Sequence, residues 1–157
     1  MIVRPAHLND LDTLLTFEQG VITAERPYDV TLGEDPITYY DIRELILSPQ
    51  AELLVAEINN RLAGCGYAKI KQAKPNRRHR FYAYLGFMYV IPEFRGKGIN
   101  QAILTGLMQW VRQQGIQEIR LEVYVENASA IRAYAKAGFR PLVQEMRLNL
   151  SSDDGSH

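Results

Sequence analysis

Apolar positions along the chain fall first at helical spacing and then at strand spacing. After a short apolar run at residues 1–3, Asn9-Asp10 offers a helix cap, and Leu11, Leu14 and Leu15 follow at i, i+3, i+4 intervals. That pattern predicts a helix over about 9–20. Residues 23–35 are polar and punctuated by Pro27 and Gly33. Asp35-Pro36 then reads as a cap with proline in the first turn, and Ile37, Tyr40, Leu45 and Ile46 predict a second helix ending before Pro49. From there the period changes. Residues 52–58 and 61–71 read as a hairpin joined by Asn59-Asn60, and a polar loop at 74–80 leads to another strand over 81–90. Gly96-Lys97-Gly98 opens a helix with Ile99, Ile103, Leu107, Trp110 and Val111 on its apolar face, and Gly115 closes it. A strand over 118–125, a helix capped by Asn127 and ended by Gly138, and a last strand over 139–150 complete the chain.

The expected order is β-α-α-β-β-β-α-β-α-β within one domain, 1–150, followed by a disordered polar tail at 151–157. The fold class is α/β (α+β) with a mixed sheet. A chain of 157 residues that is 46% hydrophobic buries an adequate core without staples. Lys plus Arg number 18 and Asp plus Glu 18. That balance argues against a non-specific nucleic-acid or polybasic membrane binder. Cys65 is the single cysteine, which excludes an intrachain disulfide and any multi-cysteine metal site. No apolar run approaches the length of a membrane span, and residues 1–10 lack a basic segment leading into one. A soluble, cytoplasmic protein without a metal is the expectation.

Chemistry concentrates in the second half. At Arg95-Gly96-Lys97-Gly98-Ile99-Asn100-Gln101 a strand ends in a loop with two glycines and two cations that turns directly into a long helix. Glycine lets backbone approach a ligand, and a helix N-terminus offers unpaired N–H groups and a positive dipole end. This is a pyrophosphate cradle. It is neither a Walker loop, because Ile99 follows Gly98 where lysine is required, nor a dinucleotide fingerprint, because Gln101 stands at the third glycine position.

The segment Val90-Ile91-Pro92-Glu93-Phe94 leading into that loop is one half of a pattern. The other is Asn127, Ala130, Tyr134 and the pair Gly138-Phe139. Together they resemble the GNAT superfamily of acyl-CoA-dependent N-acyltransferases, whose element order also matches residues 1–150. The resemblance implies a mostly antiparallel central sheet with two splayed parallel strands and helices on both faces. It implies that acetyl-CoA lays its pyrophosphate on the amides of Gly96 to Gln101, with Arg95 and Lys97 adding charge. The pantetheine arm would pair with the backbone of Met88, Tyr89 and Val90 and be reached by Asn127. Tyr134 would protonate the leaving thiolate. Asn100 departs from the usual glycine or alanine and bears on cofactor affinity.

Many relatives place a glutamate in the strand before the loop. Here residues 84–89 carry no carboxylate, and Gly86 stands where the acid is expected. Glu122 is then the candidate base, with an orienting carboxylate as its alternative role. A lysine-like amine must give up about 3.4 pKa units at pH 7 before it attacks, roughly 4.6 kcal/mol, whereas an α-amine gives up only about 1 kcal/mol. Weak provision of a base therefore favours an acceptor of lower pKa. The loop between the first two helices borders the acceptor pocket in similar proteins, and here it carries Glu25, Tyr28, Asp29, Glu34 and Asp35. A carboxylate wall there would attract a cationic amine, and Tyr84 could flank it.

The expected activity is transfer of the acetyl group of acetyl-CoA to a small-molecule or peptide amine, by direct attack in a ternary complex. The alternative is a non-catalytic acyl-CoA-binding sensor that kept the cradle and lost the base. No nucleic acid or membrane partner is expected: the basic tip Arg77-Arg78-His79-Arg80 lacks interleaved aromatics. A homodimer is common among similar proteins, and the sequence leaves the oligomeric state open.

Overall fold

Two asparagines set the register of the sheet. In this computed structural model, which describes residues 1–151, β2 (Ala51–Ile58) and β3 (Arg61–Gln72) pair antiparallel across Asn59 and Asn60. Both turn residues sit at positive φ, 53° and 62°, the conformation a two-residue type I′ connection demands. β1 (Ile2–Pro5) pairs antiparallel with the far edge of β2, and β4 (Phe81–Val90) with the far edge of β3. β5 (Ile119–Arg120) then joins β4 in parallel, giving a mixed sheet in the order β1-β2-β3-β4-β5.

Alternation along β2 divides the core in two. Leu53 and Val55 face a cluster with Leu14, Phe17 and Val21 of α1 (Leu11–Glu25) and Ile42 and Leu45 of α2 (Ile42–Leu47). Leu54 and Ala56 face the other cluster, with Ile99, Ile103, Leu104, Leu107 and Val111 of α3 (Ile99–Gln113). Tyr134 of α4 (Ala128–Lys136) and Phe139 pack against that second cluster. Helices thus cover both faces of the sheet. Cys65 is fully buried in the first cluster, as a small hydrophobe whose thiol donates to the Phe87 carbonyl at 3.3 Å.

β4 does not keep one alternation. Gly86 pairs with Tyr67 and Tyr89 with Cys65, so three steps on β4 oppose two on β3. The extra residue is a bulge, and Phe87 takes it up at φ 56°. Ala83 and Leu85 face the α3 side, yet Phe87 and Tyr89 face the α1 side while Met88 and Val90 return to α3. Everything after the bulge has changed faces.

The helix expected from Asp35-Pro36 begins later. α2 starts after Asp41, whose carboxylate accepts from the Glu44 amide at 3.1 Å, so Asp41 and not Asp35 is its cap. The chain ahead of it is held by Glu18 of α1. This carboxylate is 1% exposed and accepts the Tyr39 and Tyr40 amides at 2.8 and 2.7 Å. α1 in turn runs past Gly20 to Glu25, because Val21 and Ile22 are buried and extend its apolar face.

Two strand expectations require correction. The strand expected over 118–125 pairs only at Ile119 and Arg120, because β4 and the chain beyond Arg120 diverge. The segment 139–150, expected as a last strand, forms no ladder among the described residues, and its Leu142, Val143, Met146, Leu148 and Leu150 are 71–90% exposed. The expected tail lies, from residue 152 on, outside the described residues.

Glu18→Ala removes the acceptor of two buried charge-assisted hydrogen bonds and leaves both amides unpaired. The expected loss is about 3 kcal/mol, which lowers the melting temperature by roughly 6–12 °C for a domain of this size. Calorimetry checks this, and a loss below about 1 kcal/mol would show that water replaces the carboxylate.

Candidate functional site

The site grows out of the split between β4 and β5. Their parallel pairing holds at Ala83↔Ile119 and Tyr84↔Arg120 and goes no further. Beyond it the edge of β4 from Leu85 to Val90 faces a cleft, and residues 121–126 form the opposite wall. Met88, Tyr89 and Val90, expected to meet the pantetheine arm, lie on this open edge.

The glycine loop closes one end of the cleft. Gly96 and Gly98 sit at φ 77° and 79°, and a Cβ built on either meets nothing within 4 Å. The left-handed backbone, not crowding, calls for glycine here. α3 opens at Ile99 with Gly98 as its cap residue and no side chain capping it, so the amides of Ile99, Asn100 and Gln101 have no intrahelical acceptor. An open concavity of backbone donors at a positive dipole end fits an anionic pyrophosphate. Arg95 donates from Nε to the Val90 carbonyl at 3.0 Å and lies over the Tyr89 ring, fixing the loop to the end of β4. Lys97 lies over Phe94, and Gln101 donates to the Ala133 carbonyl at 3.4 Å, linking α3 to α4. The basic tip at 77–80 is at the other end of β4, roughly 30 Å away at strand rise, where His79 faces Glu118 at 3.6 Å. It cannot reach this loop within one chain.

Asn127 accepts the Ala130 amide at 3.3 Å on Oδ1 and so caps α4. That bond leaves its Nδ2 donors uncommitted. α4 carries Tyr134, half-buried with its ring edge-on to Phe139 at 5.8 Å. Burial raises the phenol's pKa, and the charge of Glu25 adds to the rise. Glu25 belongs to α1 on the opposite face of the sheet. The two groups feel each other across the place where the sheet has parted.

Gly86 answers why the strand has no carboxylate. A Cβ there would lie 2.6 Å from the Tyr67 hydroxyl, so Tyr67 occupies the space a side chain would need. Glu122, on the facing wall, accepts from the Tyr84 hydroxyl at 3.0 Å and is exposed. Tyr84 is raised well above the ordinary phenol range, by burial first and by Glu122 next. Glu122, Tyr84 and Tyr67 therefore form one group on the α1 side of the cleft.

The acceptor-loop residues divide. Asp35 is paired with Arg26 at 2.7 Å and is not part of a free acidic wall. Asp29 accepts from Thr31 and, at 2.5 Å, from the Tyr124 hydroxyl, so the loop is pinned to the wall that carries Glu122. These bonds lower the Asp29 pKa, that of the Thr31 hydroxyl most. Tyr28 stacks on Tyr124 with ring centroids 6.1 Å apart. Glu25 is half-buried beside the Tyr39 hydroxyl, which forms no complete hydrogen bond. Burial raises the Glu25 pKa, and Asp29 adds to it.

Sequence reading missed Tyr39, Tyr67, Tyr124 and the bulge at Phe87. The first three were invisible because their partners are distant in sequence. The bulge left only an indirect signal, the aromatic residues Phe87 and Tyr89 following Leu85 at a spacing that one unbroken alternation would put on a single face. Among the described residues, no cluster of three or more potential metal ligands occurs, and no helix is long and apolar enough to cross a membrane.

Comparison with known proteins agrees with this geometry. The Acetyltransferase (GNAT) family model matches residues 19–139. N-alpha-acetyltransferase 30 of Saccharomyces cerevisiae is 27% identical over 143 residues, covering 87% of this chain and 78% of that protein. A tetramutant protein from Bacillus halodurans superimposes with a TM-score of 0.84 at 22% identity, over 96% of this chain and 100% of that one. A predicted acetyltransferase from Clostridium acetobutylicum, solved with acetyl-CoA, gives 0.74 at 20% identity over 95% of this chain and 96% of that one. With the family model spanning the cradle, the split strands and the Tyr134 helix, the chain belongs to the GNAT family of acetyl-CoA-dependent N-acetyltransferases.

Proposed function

We propose that the chain moves the acetyl group of acetyl-CoA to a primary amine by direct attack within a ternary complex, working as a homodimer. The observation that carries this reading is one cleft with an anion cradle at its mouth, a protonated phenol on one side and carboxylates on the other. The pyrophosphate lies on the amides from Gly96 to Gln101, between Arg95 and Lys97. The pantetheine arm runs along Met88, Tyr89 and Val90, and Asn127 donates to it from Nδ2. The amine nitrogen attacks the thioester carbon. Backbone N–H groups near Met88 to Val90 stabilise the resulting oxyanion. The C–S bond then breaks, and the thiolate takes the Tyr134 proton.

The nitrogen must lose a proton as the amide forms. Glu122 takes it, through a water, in the first version of this mechanism. A second version gives the task to Glu25, because burial raises its pKa toward the range of an effective base and it acts electrostatically on Tyr134. Asp29 and Tyr28 then border the acceptor. An α-amine suits either version, because neither carboxylate sits in the strand at Gly86 and an α-amine needs the least help to become neutral. The name of the yeast relative, an N-alpha-acetyltransferase, points the same way.

Acetyl-CoA and CoA at 100 times their Kd should each stabilise the fold by about 2.7 kcal/mol, raising the melting temperature by roughly 5–11 °C. ATP should not. Tyr134→Phe should lower kcat by about 100-fold or more while CoA affinity stays within a few-fold. Stabilisation by acetyl-CoA with no thiol release from any α-amine peptide, lysine peptide or polyamine would favour the non-catalytic sensor.

Glu25 gives a pH test with a defined sign. An acid whose folded pKa is raised destabilises the fold once pH passes its unfolded value near 4.3. Glu25→Gln should therefore melt higher than the parent at pH 7, with the gain shrinking as pH falls through 4. If it also removes the acidic limb of the kcat/KM profile while Glu122→Gln leaves that limb in place, Glu25 is the base. The reverse result assigns Glu122.

A further inference from the structure

Gly20 stands inside α1, where glycine is less favourable than alanine and calls for a packing reason. The reason is Tyr89. A Cβ on Gly20 would collide with the Tyr89 hydroxyl oxygen and lie 2.6 and 2.9 Å from its Cζ and Cε1. The phenol therefore fills the space that any larger residue at 20 would need. Phe17, about one turn earlier on α1, packs against the same ring with centroids 5.2 Å apart. One helix thus fixes the side chain at two points, and the bulge at Phe87 is what turns that side chain toward it.

The same ring carries Arg95. Its guanidinium carbon lies 5.9 Å from the Tyr89 ring centroid, and its Nε donates to the Val90 carbonyl at 3.0 Å. Neither contact brings an opposite charge, and the Nη groups of Arg95 stay available as donors. Glu93, the one carboxylate among residues 91–98, is held instead by both Nη groups of Arg61, at 2.8 and 2.6 Å. Arg95 is thereby held in one orientation at the entrance of the glycine loop, with its charge left for an anion.

We propose that Tyr89 is a positioning residue for the cofactor: its ring, seated in the space left by Gly20, holds the Arg95 guanidinium at the pyrophosphate cradle. The main chain of Tyr89 serves the pantetheine arm, whereas its side chain acts one step away, through Arg95. A guanidinium on a flexible stem must be ordered before it grips an anion, and that cost falls when a ring already fixes it. Contact with a ring face suits the task, because it orders the cation without neutralising it. α1 thus takes part in donor binding from the face of the sheet opposite α3. The inference rests on the reading that the pyrophosphate lies beside Arg95.

Calorimetric titration of CoA into the full-length chain tests it. Arg95→Gln should weaken CoA binding by about 10-fold or more. Tyr89→Leu should weaken it by about 5-fold, and Tyr89→Phe, which keeps the ring, by less than about 2-fold. In steady-state assays the Tyr89→Leu loss should fall on the KM for acetyl-CoA rather than on kcat. The deciding readout is the double variant. A ring that acts through Arg95 adds less than about 2-fold in the Arg95→Gln background, whereas a ring that only supports the fold multiplies the two losses. Gly20→Ala pushes the ring from the helix side and should weaken CoA binding by about 3-fold, which keeps the test open if Tyr89→Leu folds poorly. Unchanged CoA affinity in Tyr89→Leu and Gly20→Ala, or multiplied losses in the double variant, would overturn the proposal. Unchanged affinity in Arg95→Gln would instead end the placement of the pyrophosphate beside Arg95, and this inference with it.

Discussion

The extra residue in β4 is the constraint on which the site depends. A strand with unbroken alternation would place Leu85, Phe87 and Tyr89 on one face, and β4 could continue alongside the next strand. With Phe87 taking up the bulge, Tyr89 instead turns to the α1 side, where its ring meets Phe17 at 5.2 Å and its hydroxyl fills the place a side chain on Gly20 would occupy. A bulge also bends its strand and increases local twist. Parallel pairing with β5 ends at Tyr84, two residues before the bulged segment begins at Gly86. The cleft is thus a consequence of strand geometry, and α3 can present its N-terminus to it because the loop at 91–98 leaves β4 past the bend.

Parting the sheet changes the electrostatics. In an intact sheet α1 and α4 would be insulated by the strands between them. Here Glu25 on one side and Tyr134 on the other interact, and burial pushes both pKa values up. Both shifts favour the neutral form, since desolvation penalises charge. Tyr84, Tyr39 and Tyr124 are raised for the same leading reason. A cleft lined by phenols that stay protonated supplies donors at neutral pH and leaves proton acceptance to carboxylates such as Glu25 and Glu122.

What the chain revealed in advance was local. Gly96, Gly98 and the following apolar period specify a loop-to-helix turn within a few residues, and Asn127 with Ala130 specifies a cap in the same way. The hairpin through Asn59-Asn60 is equally short-range. What stayed hidden was decided at distance. Asp35-Pro36 looks like a helix start, but Glu18 captures the Tyr39 and Tyr40 amides and delays the helix to Asp41. Gly86 reads in the sequence as a missing acid, but Tyr67 fills the space a side chain there would need. Alternation at 139–150 predicts a last strand, but the segment forms no ladder among the described residues, because pattern carries no information about which edge is free to pair with it.

The wall opposite β4 is held in an unusual way. Backbone ladders position a side chain to a fraction of an ångström, yet beyond Arg120 this wall has none among the described residues. Its placement rests on side-chain bonds: Tyr84 to Glu122 from β4, and Tyr124 to Asp29 from the acceptor loop. Each bond ties a carboxylate that could serve the acceptor to the geometry of the cleft. Under the proposed function, a cationic amine entering beside Asp29 would compete with Tyr124 for its carboxylate, which would link acceptor binding to the position of the wall that carries Glu122. Catalytic groups need supports that keep their own position. The wall beyond Arg120 is therefore held by these two bonds together with Leu121 on the α3 core cluster and Tyr28 stacked on Tyr124, so its position depends on side chains from three separate elements.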